Sequence, residues 1–199
     1  VSLREELAKE ISYFSKLSYD SFLVRAAGGN ISARLPNGEG FLVTPSGISL
    51  RDITPDLLVL INEAGEVISG PSGLKPSKET QLHLCVYQHR PSVNAVVHVH
   101  PPYTTAFTVK PDGIPMVTSQ ARLKIGSAPI AKYGDPGSAA LAKNIEECLV
   151  NSDPSAKTIL MVAHGLLAFD SCLSSAFDTA DLVEETARIA LAVNCLERN

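Results

Sequence analysis

The order of helical and extended signals along the chain predicts an α+β or mixed three-layer αβα arrangement, and three observations carry that reading. The chain opens on an amphipathic helix. Short β-rich runs then follow one another across turn residues, one of them hairpin-like, which implies antiparallel pairing. The order helix, strands, helix, strands, helix, strand pair, helix departs from a regular βαβ alternation. There is no GxGxxG after the first strand and no GxxxxGK(S/T), and the Gly-Gly of AAGGNIS precedes a strand and not a helix. Neither a Rossmann nor a P-loop reading fits.

Each element has its own local signal. Ser2 with Glu5 three places on is a capping-box pattern, and Leu3, Leu7, Ile11, Phe14 and Leu17 recur behind it at helical spacing. FLVTPSG, LLVLINEAGEVISG and AVVHVH are short extended runs, with NEAG as a hairpin connection. KPSKE leads into a helix through TQLHLCVYQHR, on which His83 and His89 are expected to be partly exposed. A further helix covers SAALAKNIEECLV. TILMVA reads as a buried strand with His164-Gly165 as its turn, and the last helix runs through SSAFDTADLVEETARIALAVNCLE.

With 199 residues the chain suits one domain spanning 1–199. Hydrophobic residues at 45% and charged residues at 19% fit a folded soluble domain, and a net charge of −4 argues against nucleic acid as main partner. Cys85, Cys148, Cys172 and Cys195 form no CxxC pair, which suits reduced thiols and a cytoplasmic location. The charges of VSLREELAKE exclude a signal-peptide core, and no uncharged apolar run approaches a membrane span.

The chemistry gathers at strand ends. In an extended strand His98 and His100 point the same way with Val99 on the opposite face, and Pro101-Pro102 stop the strand there. His164 ends a second apolar run. Two imidazoles on one face plus a distant third are the usual way to hold a catalytic Zn²⁺, or another divalent transition metal, with one position left for water or substrate. The competing reading is a set of structural strand histidines. Glu79, in the first turn of the helix after KPSKE, serves either the helix dipole or a general-base or fourth-ligand role. AAGGNIS, TPSG and SGLKPSKE could cradle a phosphate with free N–H groups and hydroxyls, although each alone is also an ordinary turn or cap.

Taken in order, GGNIS, TPSG, KPSKE, HVHP, GSAPIAKYGDPGS, VAHG and EETARIA resemble the class II aldolase/adducin family over about residues 3–196. That resemblance implies a three-layer αβα sandwich with a central, largely antiparallel sheet. It further implies a Zn²⁺-type site in a homotetramer with active sites at subunit interfaces. His98, His100 and His164 correspond to metal ligands, and Glu79 to an acid/base that also approaches the metal. Gly28, Asn30, Ser46, Gly47 and Ser77 correspond to substrate phosphate-binding positions, and Lys78 stands where the aldolases carry another phosphate-binding serine. The implied activity is cleavage of a small ketose 1-phosphate, fuculose-1-phosphate-like, to dihydroxyacetone phosphate and an aldehyde through an enediolate. KPSKE also resembles the branch that decarboxylates 3-oxo-tetronate 4-phosphate, and a non-catalytic adducin-like domain is the third alternative. A tyrosine expected near MVTSQAR is missing, since none lies between Pro115 and Pro129, so the proton-donor role goes unassigned.

Overall fold

The computed structural model describes residues 2–36 and 38–197. Helix α1 (Leu3–Asp20) begins with the capping box the sequence signals: Ser2 Oγ accepts from the Glu5 N–H, and the Glu5 carboxylate accepts from the Ser2 N–H. Four strands follow, β1 (Asn30–Arg34), β2 (Phe41–Val43), β3 (Val59–Ile61) and β4 (Val67–Ser69), with NEAG as the turn before the last. Then come α2 (Thr80–His89), β5 (Ala95–Val99) and α3 (Pro102–Thr108). The second half of the chain adds α4 (Ser119–Lys124), β6 (Ile130–Ala131), α5 (Ala139–Asn151), β7 (Thr158–Met161), β8 (Gly165–Asp170) and α6 (Leu173–Leu196).

The strands form one sheet in the order β4-β3-β2-β1-β5-β8-β7-β6. Every pairing is antiparallel except that of β6 with β7. Alternation along β5 sorts its side chains: Ala95, Val97 and Val99 join the core under α1, α3 and α6, while Val96 joins the core under α2 and α5. Helices thus cover both faces of the sheet, the expected three-layer sandwich. Ile145 of α5 and Val183 of α6 are fully buried in these two layers. Cutting such a side chain back to alanine costs about 2–5 kcal/mol.

Two local departures matter for the site. The second proline of HVHPP does more than end a strand, because Pro102 occupies the first turn of α3, where its missing N–H costs nothing. His83 is not partly exposed but 1% exposed, on the face of α2 turned to β1. Leu82, Leu84, Val86 and Tyr87 are buried with it, so this helix is covered over most of its circumference, while Gln81 and Gln88 are exposed and His89 is half-buried.

Candidate active site

β5 lies between β1 and β8 in the middle of the sheet, and its C-terminal end carries the first two imidazoles. The Nε2 atoms of His98 and His100 stand 2.8 Å apart, so the two rings do share a face as the strand period requires. His164 comes from the turn joining β7 to β8, and its ring centroid lies 4.9 Å from those of both His98 and His100. That turn is held in an unusual conformation. Ala163 has φ +55°, and its N–H donates to Thr108 Oγ1 of α3 at 2.9 Å.

Glu79 is the N-cap residue of α2, one position before the expected first turn, and its side chain makes no capping bond. The carboxylate turns instead to the histidines, with Oε2 3.1 Å from His98 Nε2 and Oε1 3.2 Å from His164 Nε2. Ligand atoms of Glu79, His98, His100 and His164 all lie within 4.8 Å of one another. A divalent transition metal fits this set on two counts. Glu79 Oε1 is buried without a hydrogen-bond partner among the described residues, and His98 Nδ1 lies 2.9 Å from the Leu166 carbonyl, which fixes Nδ1 as a donor there and makes Nε2 the nitrogen that faces the cluster.

The electrostatics agree. Burial, with His98 and His164 beside it, lowers the His100 pKa to about 3, so the imidazole stays neutral and able to ligate. Burial alone would raise the Glu79 carboxyl, but its interactions with His164 and His98 outweigh that and hold it well below the usual carboxylate range.

A cleft of about 210 Å³ opens beside this cluster. Gly28, Asn30, Ser46, Gly47, Ser77 and Lys78 all line it, together with Glu79 and His100. The structure therefore brings together all ten residues singled out in the sequence. It also gives two of them further duties. A Cβ on Gly28 would stand 2.9 Å from His100 Nδ1, so glycine here makes room for the imidazole. The Asn30 carboxamide is buried and bridges two groups, donating from Nδ2 to Glu79 Oε2 at 3.1 Å and placing Oδ1 2.6 Å from His83 Nε2.

Sequence reasoning missed His83, and it missed Glu184 of α6. The Glu184 carboxylate, 4% exposed, accepts from the N–H groups of Tyr103 and Thr104 and from the Thr104 hydroxyl. It thereby satisfies the free donors that open α3, directly after the histidine pair. The available signal was an acidic residue beside Ala180, Val183 and Ala187 on the buried stripe of a helix.

Comparison with known proteins agrees with this geometry. L-fuculose phosphate aldolase of Methanococcus maripaludis is 32% identical over 182 residues, covering 92% of this chain and 94% of that protein. The 3-oxo-tetronate 4-phosphate decarboxylase of Escherichia coli is 31% identical over 193 residues, covering 94% of this chain and 85% of its own. Among solved structures, an L-fuculose 1-phosphate aldolase superposes with a TM-score of 0.84 at 26% identity, covering 96% of this chain and 87% of the other. Residues 9–191 match the family described as the class II aldolase and adducin N-terminal domain, and the chain belongs to that family.

Proposed function

We propose that the chain is a metal-dependent sugar-phosphate lyase, one catalytic unit over residues 1–199, that cleaves a small ketose 1-phosphate to dihydroxyacetone phosphate and an aldehyde. The observation that carries this reading is the Glu79 carboxylate, buried between His98 and His164 and opening onto the cleft that Lys78 and the glycine-serine loops line. His98, His100 and His164 would hold the divalent cation, which supplies Lewis-acid polarisation of the substrate carbonyl when bound. Gly47, Ser46 and Ser77 offer N–H groups and hydroxyls to the phosphate, and Lys78 adds a positive charge at the same wall.

For cleavage, the hydroxyl two carbons beyond the carbonyl carbon loses its proton and becomes the aldehyde as the intervening C–C bond breaks. The electron pair of that bond passes to the carbonyl, giving an enediolate, and a proton returned to carbon completes dihydroxyacetone phosphate. Glu79, kept ionised by its surroundings, takes and returns the proton. Its fixed position at the start of α2 keeps it within reach of the ligand cluster throughout.

A panel of ketose 1-phosphates and 3-oxo acid phosphates tests the assignment: aldehyde release supports the aldolase reading and CO₂ release supports decarboxylation. Lys78 keeps the second reading beside the first, because an ammonium on the cleft wall suits a substrate carboxylate as well as a phosphate. An intact Glu/His₃ cluster speaks against a purely structural module. Glu79→Gln should cut turnover on the accepted substrate by about 10²-fold or more while the fold is kept, and near-normal turnover would remove Glu79 from the mechanism.

The same proposal places the protein in the cytoplasm as a homotetramer. No described helix is long and apolar enough to cross a membrane, and Leu123, Val109 and Tyr133 leave apolar surface that neighbouring subunits would cover. Sedimentation at four times the 21.2 kDa chain mass is the expected result.

A further inference from the structure

We propose that His83 is a positioning residue: through a one-way run of hydrogen bonds it keeps the amide nitrogen of Asn30, and not its oxygen, aimed at Glu79. The proposal rests on Glu79 being the working acid/base. Two short spacings build the run. Glu79, His83 and Tyr87 stand four residues apart at the cap and along one face of α2, and Asn30 and Ser32 stand two apart on the facing side of β1.

Each contact leaves a single choice for the next. An ionised carboxylate only accepts, so the Asn30 group 3.1 Å from Glu79 Oε2 must be Nδ2, which turns Oδ1 toward His83. A carboxamide oxygen also only accepts, so His83 Nε2, 2.6 Å away, carries the hydrogen. A neutral imidazole then has Nδ1 as its acceptor, and Ser32 Oγ at 2.7 Å donates to it. With its proton spent, Ser32 Oγ accepts from the Tyr87 hydroxyl at 2.8 Å. His83 is 1% exposed, and burial together with nearby His98 lowers its pKa to about 3, so the neutral form the run requires is the one present.

Without the His83 donor the Asn30 carboxamide is free to turn over and present Oδ1 to the carboxylate. Two acceptors would then face each other, and Glu79 would be pushed off its line to His98 and His164. The damage falls on turnover more than on substrate binding.

The tautomer is read directly from long-range ¹H–¹⁵N correlation spectra of the intact protein at neutral pH. A hydrogen on His83 Nε2 is expected, and one on Nδ1 overturns the run. Kinetics on the best substrate of the panel supply the second arm. His83→Leu should lower kcat about tenfold or more with little change in KM, and His83→Gln, whose amide nitrogen can stand where Nε2 stood, should recover most of it. In an Asn30→Ala background His83→Leu should cost less than about twofold, because the contact it served is already gone. Equal losses in both backgrounds, or no recovery with glutamine, overturn the positioning role. Should His83→Leu fail to fold, the tautomer and the glutamine variant still decide. Full turnover of Glu79→Gln overturns the acid/base reading and the positioning role with it, whereas lost turnover there beside full turnover of His83→Leu overturns the positioning role alone.

Discussion

Gly28→Ala separates metal binding from folding. The new methyl group would lie 2.9 Å from His100 Nδ1 and 3.1 Å from the Arg25 carbonyl oxygen, where ordinary contact begins near 3.4 Å. The imidazole must therefore retreat by about 0.5 Å, given the steep repulsion inside van der Waals contact. Gly28 lies outside the left-handed region, so alanine carries no φ penalty, and the Arg25 carbonyl has to give by only a few tenths of an ångström. In the metal-free protein the ring can swing toward the cleft, and stability should change by less than about 1 kcal/mol. A bound metal removes that freedom, since ligand distances tolerate only about 0.2 Å. Disturbing the support of a ligand commonly costs about 10- to 100-fold in metal affinity, or about 1.4–2.8 kcal/mol. Competition for Zn²⁺ against a chromophoric chelator measures this, with thermal unfolding of chelator-treated protein alongside. Wild-type affinity in Gly28→Ala would refute the reasoning. A raised KM for phosphorylated substrate at unchanged metal affinity would return Gly28 to the phosphate role its motif implies.

The remaining predictions concern neighbouring residues. His98→Ala, at a fully buried position, should lose both bound metal and turnover, as metal analysis of the purified protein will show. Lys78→Ser should raise KM for a 3-oxo acid phosphate by about 10- to 150-fold, and by much less for a ketose phosphate, if the ammonium holds a carboxylate. Equal effects on the two substrates would make Lys78 a phosphate ligand and favour the aldolase reading. Acid should destabilise the metal-free protein partly through His83. Its folded pKa of about 3 lies below the ordinary 6.5, so across that window the unfolded chain takes up a proton that the folded chain refuses. Stability then falls as pH falls, by up to about 1.4 kcal/mol per pH unit for this group, and urea unfolding of His83→Gln at stepwise lower pH should show the shallower loss.

What was legible in the sequence had a local cause. The shared face of His98 and His100 follows from strand alternation, and His164 at a turn follows from the apolar run before it. The hairpin order of the first strands likewise led to an antiparallel sheet. Features set by distant partners were not legible. Asn30 pairs opposite His98 across 68 residues of chain, and nothing near His83 says that its face of α2 will meet β1. Neither α4 nor β6 was foreseen, because six- and two-residue elements carry too few positions for a period to show. Glu184 stayed hidden because its partners are backbone N–H groups, which no side-chain pattern records.

The clamp that Glu184 places on the start of α3 ties the site to the order in which the chain is made. His100 leaves the ribosome 64 residues ahead of His164 and 84 ahead of Glu184. At about 5–20 residues per second, the histidine pair waits roughly 4–17 s before the carboxylate that steadies its neighbouring helix has been synthesised. For most of that interval β5 has β1 as a possible neighbour on one side and an open edge on the other, because β8 (Gly165–Asp170) follows only shortly before Glu184. A metal ion meeting the nascent chain finds two imidazoles and a carboxylate but no third imidazole. Assembly of the complete cluster is therefore a late event in biosynthesis, and a chain arrested before β8 would present an unprotected strand edge in the middle of what should become its sheet.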